Sequence, residues 1–282
     1  MSSIKTKIFT CILSTVMLTS ILPTTVFADS IQLNNSSIKI ENTYKIYRSG
    51  KCGKELYWVL KDDTLTIYGK GAMDNYTMND PAPWCINKPT KVIIRNGITS
   101  IGNFAFYATY ATSIDMSDVK TLKTIGHHAF AINRLESITI PNGVTKIDHL
   151  AFANSSIKRI KIPSSVKTIE TGAFQGCKKL QSVEGGSGLV TIAAGVFWNC
   201  PNLSKVKITS KKLKKIGGYA FGGCKKLTVL NITYTTKLTK AGVKKSLKES
   251  SIKTVKVKKS KIKTYKKYFT KSNCGKKVKI SK

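Results

Sequence analysis

The sequence predicts an α/β solenoid, in which short coils stack side by side with a parallel sheet of short strands on one face and helical or turn returns on the other. Three observations carry that expectation. First, one phrase recurs six times between Ile98 and Phe221: an aliphatic residue, two spacers, isoleucine, four spacers, then phenylalanine. The copies are Ile98/Ile101/Phe106, Leu122/Ile125/Phe130, Val144/Ile147/Phe152, Val166/Ile169/Phe174, Leu189/Ile192/Phe197 and Leu213/Ile216/Phe221, with phenylalanines 24, 22, 22, 23 and 24 residues apart. A period of this length marks stacked supersecondary units. Second, five or six residues after each later phenylalanine comes an alternating apolar pattern, Leu135/Ile138/Ile140, Ile157/Ile160/Ile162, Leu180/Val183 with Gly185 in the third place, Leu203/Val206/Ile208 and Leu227/Leu230/Ile232. Alternation with period two is the mark of a strand. Third, Pro141 and Pro163 stand directly after two of these strands, where a residue without an N–H turns the chain out of a ladder.

The first element, however, is not part of the stack. Lys5 and Lys7 precede an apolar run from Ile8 to Leu22, and Val26-Phe27-Ala28 supplies small residues at the positions a signal peptidase reads. Residues 1–28 are therefore expected to be a secretory signal peptide, and the run is too short and hydroxyl-rich for a membrane anchor. Cys11 lies too early in it, without the flanking residues of a lipoprotein cleavage site. No later segment is apolar enough to span a bilayer, and no Leu-Pro-x-Thr-Gly wall-sorting sequence is present.

The repeats follow, and their energetics require stacking. Ordering a unit of this size costs about 1–2 kcal/mol per residue in backbone entropy. Five or six large apolar side chains per coil, worth about 1.5–3 kcal/mol each when buried, can be covered only by neighbouring coils. Residues 91–233 are assigned to this array.

Charge sets the last part apart. From Pro201 to Lys282 there are 26 Lys and Arg and one acid, Glu249, within a chain of net charge +34. A polycation attracts anionic partners, an attraction screened by salt over a Debye length of about 8–10 Å. Strand parity decides where these charges point. Residues between the inward aliphatics face outward: Ser137 and Thr139, Arg159 and Lys161, Ser182 and Glu184, Lys205 and Lys207, Val229 and Asn231. Further strands over 252–257 and 278–280 would add Thr254, Lys256, Lys277 and Lys279. The basic members, Arg159, Lys161, Lys205, Lys207, Lys256, Lys277 and Lys279, are the candidate ligand-binding residues, forming a stripe broken by Glu184. The plainer alternative is a solvated lysine coat that keeps a secreted protein soluble.

Residues 234–282 are read as a basic C-terminal repeat or cap. Ile262, Tyr265 and Phe269 share one face of a helix within 260–273. That face can cover the last coil, stack on bases or lie on anionic lipid, and an open solenoid end favours the first. Residues 242–250 are expected to form a second short capping helix. Of the cysteines, Cys177, Cys200 and Cys224 occupy one register three residues after the repeat phenylalanine, where Asn133 stands in an earlier coil. They are expected to be small inward packing residues that bond to backbone, and the column also permits oxidation between adjacent coils.

Few residues suit catalysis. His127 and His149 share a register three before the phenylalanine, with His128 and Asp148 adjacent, so stacking should bring the two rings together on the return side. They are read as exposed turn residues rather than metal ligands. No nucleophile-elbow, HExxH, P-loop or GxGxxG context occurs, and no catalytic residue, metal or cofactor is assigned.

The phrases Ser137-Ile-Thr-Ile-Pro-Asn-Gly-Val-Thr-Lys-Ile147 with Ala151-Phe152, and Ile160-Lys-Ile-Pro-Ser-Ser-Val-Lys-Thr-Ile169 with Ala173-Phe174-Gln-Gly-Cys177, resemble the BspA-like class of bacterial leucine-rich repeat surface proteins. Ser49-Gly-Lys-Cys52-Gly, Trp58-Val-Leu60, the stretch from Leu65 to Met73, and Pro83-Trp84 resemble the lead-in of that family. The resemblance runs from about Ser49 to the C-terminus. It implies a leucine-rich repeat horseshoe or gently curved solenoid and binding at or outside the cell surface; residues 29–90 are read as an N-terminal segment with a β-rich cap, and the C-terminal cap as helical. In such repeats the register of Cys177 is usually Asn or Cys. Cys52 and Cys85 fall together in the cap, and export permits a disulfide between them. The expected function is a secreted or cell-surface-associated adhesion scaffold, not an enzyme. Its partner would be a host or bacterial surface protein or an anionic glycan or wall polymer; nucleic acid is not expected, and the chain is read as a monomer. The alternatives are a secreted hydrolase with an unrecognised site and an envelope-docked structural protein.

Overall fold

The computed structural model describes residues 48–282, so the signal peptide read over 1–28 and the segment 29–47 lie outside the described residues. Three antiparallel strands come first, β1 (Arg48–Gly53), β2 (Glu55–Lys61) and β3 (Thr64–Ala72). β2 alternates as its sequence demands, burying Leu56, Trp58 and Leu60. β3 then feeds two sheets. Its first half pairs in parallel with β4 (Lys91–Ile94) and its second with β5 (Ile98–Ile101). Between them Gly69 has φ 111°, and a Cβ there would lie 2.1 Å from the carbonyl oxygen of Glu55, so only glycine fits.

The later coils add strands that are all parallel, most of them in two walls. In chain order these are β6 (Ser113–Asp115), β7 (Thr124–Ile125), β8 (Lys146–Ile147), β9 (Arg159–Ile162), β10 (Thr168–Ile169) and β11 (Ser182–Gly185). They continue as β12 (Thr191–Ile192), β13 (Lys205–Ile208), β14 (Lys215–Ile216), β15 (Val229–Ile232), β16 (Thr254–Val257) and β17 (Lys279–Ser281). One wall runs β3-β5-β7-β8-β10-β12-β14 and the other β9-β11-β13-β15-β16-β17. The protein is thus a β-solenoid of about nine turns built from its repeats, and it is mostly sheet.

Two features of this architecture correct the α/β expectation. The isoleucine of the repeat phrase, expected in a compact helical or turn return, sits in the two-residue strands of a second parallel sheet, as Ile125, Ile147, Ile169, Ile192 and Ile216 do. The Ala-Phe segment itself forms a third wall without helix. Residues two before the phenylalanine (Phe104, His128, Leu150, Gly172, Gly195, Tyr219) and two after it (Ala108, Ile132, Asn154, Gly176, Asn199, Gly223) all have positive φ. This turns every second N–H toward the next coil: Leu150, Phe152 and Asn154 donate to the carbonyls of Thr171, Ala173 and Gln175 at 3.1, 2.8 and 2.8 Å. A helix would send those groups along its own axis, which explains its absence.

The expected strand over 137–140 also differs. Leu135 and Ile140 are buried, but no ladder forms there, and β6 pairs only with β4 and β9 only with β11 among the described residues. The helix expected over 242–250 is instead one more coil return. Lys245 and Glu249 carry positive φ, Leu247 takes the buried place of the phenylalanine, and Leu247 N–H donates to Cys274 O at 3.0 Å. Among the described residues α-helix is confined to the last coil, α1 (Ile262–Tyr268) and α2 (Lys271–Cys274), with β17 after them.

The core is a single column. Trp84 and Phe106, Phe130, Phe152, Phe174, Phe197 and Phe221 are fully buried and stack with centroids 5.2–5.7 Å apart. Each such ring contact adds about 0.5–1.5 kcal/mol beyond burial. Beside the column, Asn133 Nδ2 and Ser155 Oγ donate to the carbonyls of Phe106 and Phe130 at 2.7 and 3.1 Å. Cys177, Cys200 and Cys224 continue the series, their Sγ atoms 3.2, 3.1 and 3.0 Å from the carbonyls of Phe152, Phe174 and Phe197. From Phe106 to Phe197 one register thus caps the phenylalanine carbonyl of the preceding coil, as expected for a small inward donor.

Candidate binding face

The six-stranded wall positions the candidate basic residues. Ile160, Ile162, Val183, Val206, Ile208, Leu230, Ile232, Val255, Val257 and Ile280 are buried beneath it, so parity sends the intervening residues outward. The parallel register aligns them in two rows across the strands. One row reads Arg159, Ser182, Lys205, Val229, Thr254, Lys279, and the other Lys161, Glu184, Lys207, Asn231, Lys256, Ser281. Six of the seven candidates therefore share one face. Lys277 is exposed but precedes β17, because that strand begins at Lys279 rather than one residue earlier.

Glu184, which interrupts the stripe, is not a free anion. Its carboxylate pairs with Lys205 across the β11–β13 ladder, and the Lys205 hydrogen bond and charge hold its pKa below the ordinary glutamate value. The pair is exposed, so its worth to stability is about 0–1 kcal/mol. Its effect on the face is to neutralise one cation of the first row. Gly185, at the end of β11, has φ 99°, and a Cβ there would lie 2.5 Å from the carbonyl oxygen of Ile162. The glycine that the sequence showed as a break lets β11 close against β9.

The histidine edge lies on the other side of the coil. His127 and His149 do come together, with ring centroids 6.2 Å apart, beside a shallow groove of about 560 Å³ lined by residues that include Asn103, Lys146, Asp148 and Gln175. Its charged groups satisfy one another. Asp148 Oδ2 accepts from Lys146 Nζ at 2.8 Å and Oδ1 lies 2.7 Å from His149 Nδ1. Burial opposes ionisation of this carboxyl, but these hydrogen bonds outweigh it and its pKa falls to about 2. His128 stacks on Phe104 at 4.8 Å with planes 15° apart, and its Nδ1 is buried without a partner. Burial, then the neighbouring His127, lowers its pKa to about 4, so it is a neutral ring at pH 7. No cluster of three His, Cys, Asp or Glu suited to a metal occurs among the described residues.

The remaining candidates have structural places. Tyr265 and Phe269 are buried, and Tyr265 Oη donates to Thr235 O at 3.3 Å, so the face expected to cover the last coil is not free to stack on bases or enter lipid. Cys52 and Cys85 are both free thiols, with no bridge between them. Both lie near Tyr76, and burial raises both, Cys52 to about 12. Among the described residues no helix is long and apolar enough to cross a membrane.

The model of the BspA type Leucine rich repeat region matches residues 85–180 and 147–276, in six copies. No curated protein matches. Similar solved structures include a leucine-rich repeat protein from Bacteroides ovatus ATCC 8483, 18% identical over 80% of this chain and 75% of that one, with a TM-score of 0.40. Another is a leucine-rich repeat protein from Eubacterium ventriosum ATCC 27560, 21% identical over 74% and 84%, TM-score 0.36. A third is a leucine rich cell surface protein from Faecalibacterium prausnitzii A2-165, 16% identical over 83% and 94%, TM-score 0.29.

Proposed function

The chain belongs to the BspA type of leucine rich repeat proteins, and on that premise we propose that it is a secreted or cell-surface-associated binding and adhesion scaffold without catalytic activity. Its partner is an anionic glycan or wall polymer, or an acidic surface protein, of host or bacterial origin. The observation that carries this reading is the open sheet face, where Arg159, Lys161, Lys205, Lys207, Lys256 and Lys279 stand in two aligned rows. Around it lies a segment with 26 bases and one acid, whose field draws anions to the face. Export rests on the Lys5/Lys7, apolar-run and Val26-Phe-Ala28 pattern. The proposal includes a gently curved, horseshoe-like stack that acts as a monomer, with α1 closing its last coil.

Binding of the full-length chain to an immobilised polyanion, titrated with salt, tests this. Affinity should fall steeply between low and physiological ionic strength, and binding that is indifferent to salt overturns the electrostatic reading.

The groove beside His127 and His149 is the one place that favours a second reading, a secreted hydrolase. Its carboxylate is already engaged by Lys146 and His149, which leaves it poorly suited as a general base. Replacing both histidines and losing a turnover otherwise detected would establish that alternative.

A further inference from the structure

The two rows of the open face are not equivalent, and the difference selects a ligand. In the row Lys161, Glu184, Lys207, Asn231, Lys256, Ser281, a lysine falls on every second strand, on β9, β13 and β16. Neighbouring strands lie about 4.8 Å apart, so these three cations recur about every 10 Å along the solenoid axis. Lys161, Lys207 and Lys256 form no salt bridge with a described residue, and the acid between the first two, Glu184, bonds to Lys205 of the other row, with the facing Lys207 adding only a weaker pull on it. Asn231, between the last two, accepts from Thr233 N and Oγ1 at 3.2 and 3.0 Å. The result is a line of free positive charges separated by positions that carry no free charge of either sign.

We propose that this row binds an acidic polysaccharide bearing one carboxylate or sulfate per disaccharide, laid along the solenoid axis across the strands. The inference rests on the anionic-partner reading above and adds its spacing. A pyranose chain bearing its acid on alternate sugars presents charges at about the interval set by alternate strands, whereas a polymer charged on every unit presents them twice as densely and has no reason to prefer this row. Three cations match three acids, so among even-numbered oligosaccharides a hexasaccharide is the shortest that engages all of them. Each contact is exposed and weak alone, and affinity comes from holding several at once on one ligand.

The test exchanges two residues that face each other in adjacent strands. K256S combined with S281K leaves composition and net charge unchanged and moves one lysine by a single strand. Hyaluronan oligosaccharides, with a carboxylate on alternate sugars, and polygalacturonate, with one on every sugar, serve as probes for the full-length chain, with unfolding midpoints confirming an intact fold. The expected result has three parts. Hyaluronan affinity rises from tetrasaccharide to hexasaccharide and then levels. The exchange weakens hyaluronan severalfold, as K256Q alone does. Polygalacturonate binding is unaffected by the exchange. If the exchange binds hyaluronan like the unaltered protein while K256Q weakens it, only charge matters: the spacing proposal falls and the anionic-partner reading stands. If the exchange weakens both polymers alike, the spacing proposal also falls. Failure of the unaltered protein to bind either polymer overturns both.

Discussion

The rings of Phe152 and Phe174 lie 5.2 Å apart with planes only 4° from parallel, although 22 residues of chain separate them. The same contact recurs up and down the column, so each ring is covered by a neighbour on either side. Phe152→Ala should open a cavity that no other part of the coil can fill and lower stability by about 3–5 kcal/mol. Urea unfolding followed by circular dichroism measures this; a loss below 1 kcal/mol would mean the column is not the core.

The carbonyl caps beside the column make a sharper chemical point. Ser155 performs with a hydroxyl what Cys177 performs with a thiol. Cys177→Ser should therefore be the milder change, while Cys177→Val removes the cross-coil donor, leaves the Phe152 carbonyl only the Ser155 N–H at 3.3 Å, and costs about 0.5–1.5 kcal/mol. Equal unfolding midpoints for the two variants would contradict the cap.

His128 provides a pH signature. Its folded pKa is lowered from 6.5 to about 4 by burial and His127, so the unfolded chain binds the proton more readily. Stability from this group is complete above pH 6.5 and is lost as pH falls toward 4. Phe104 holds the same register with the same positive φ, so His128→Phe has a precedent within the fold. Denaturant midpoints measured between pH 4.5 and 7 should decline less in that variant than in the unaltered protein, and parallel slopes would remove His128 as the cause.

Glu184 is the face's internal brake. Glu184→Gln releases Lys205 and removes the acid, at a stability change of about 0–1 kcal/mol for an exposed pair. Polyanion affinity should rise severalfold at low salt and converge with that of the unaltered protein at high salt. Unchanged affinity at low salt would place the ligand on another surface.

The parts of this molecule that rest on large, regularly spaced apolar side chains were legible in the sequence: the phenylalanine column, the strands from Ile160 onward, and the outward parity of Arg159, Lys161, Lys205, Lys207, Lys256 and Lys279. The second sheet was not, because strands of two residues such as Thr168–Ile169 are too short to show alternation. The left-handed positions were hidden for a different reason. Phe104, His128, Leu150 and Tyr219 occupy them, and bulky residues seldom announce positive φ. The coil around Leu247 was missed because it lacks the aromatic signal; Ser250 stands in the capping register but turns to Leu247 O of its own coil at 2.8 Å. Alternate-strand spacing in the lysine row depended on register between strands, which coils of unequal length conceal.

The left-handed wall bonds each coil to the next one along: Phe130 to Ala151, Phe152 to Ala173, Phe174 to Val196. Such a molecule behaves like a stack of interchangeable bricks. Excising one whole brick, residues 153–174, brings together two surfaces that already match, shortening the ruler by one notch without unmaking it; a cut of half that length would leave the mortar lines misaligned throughout.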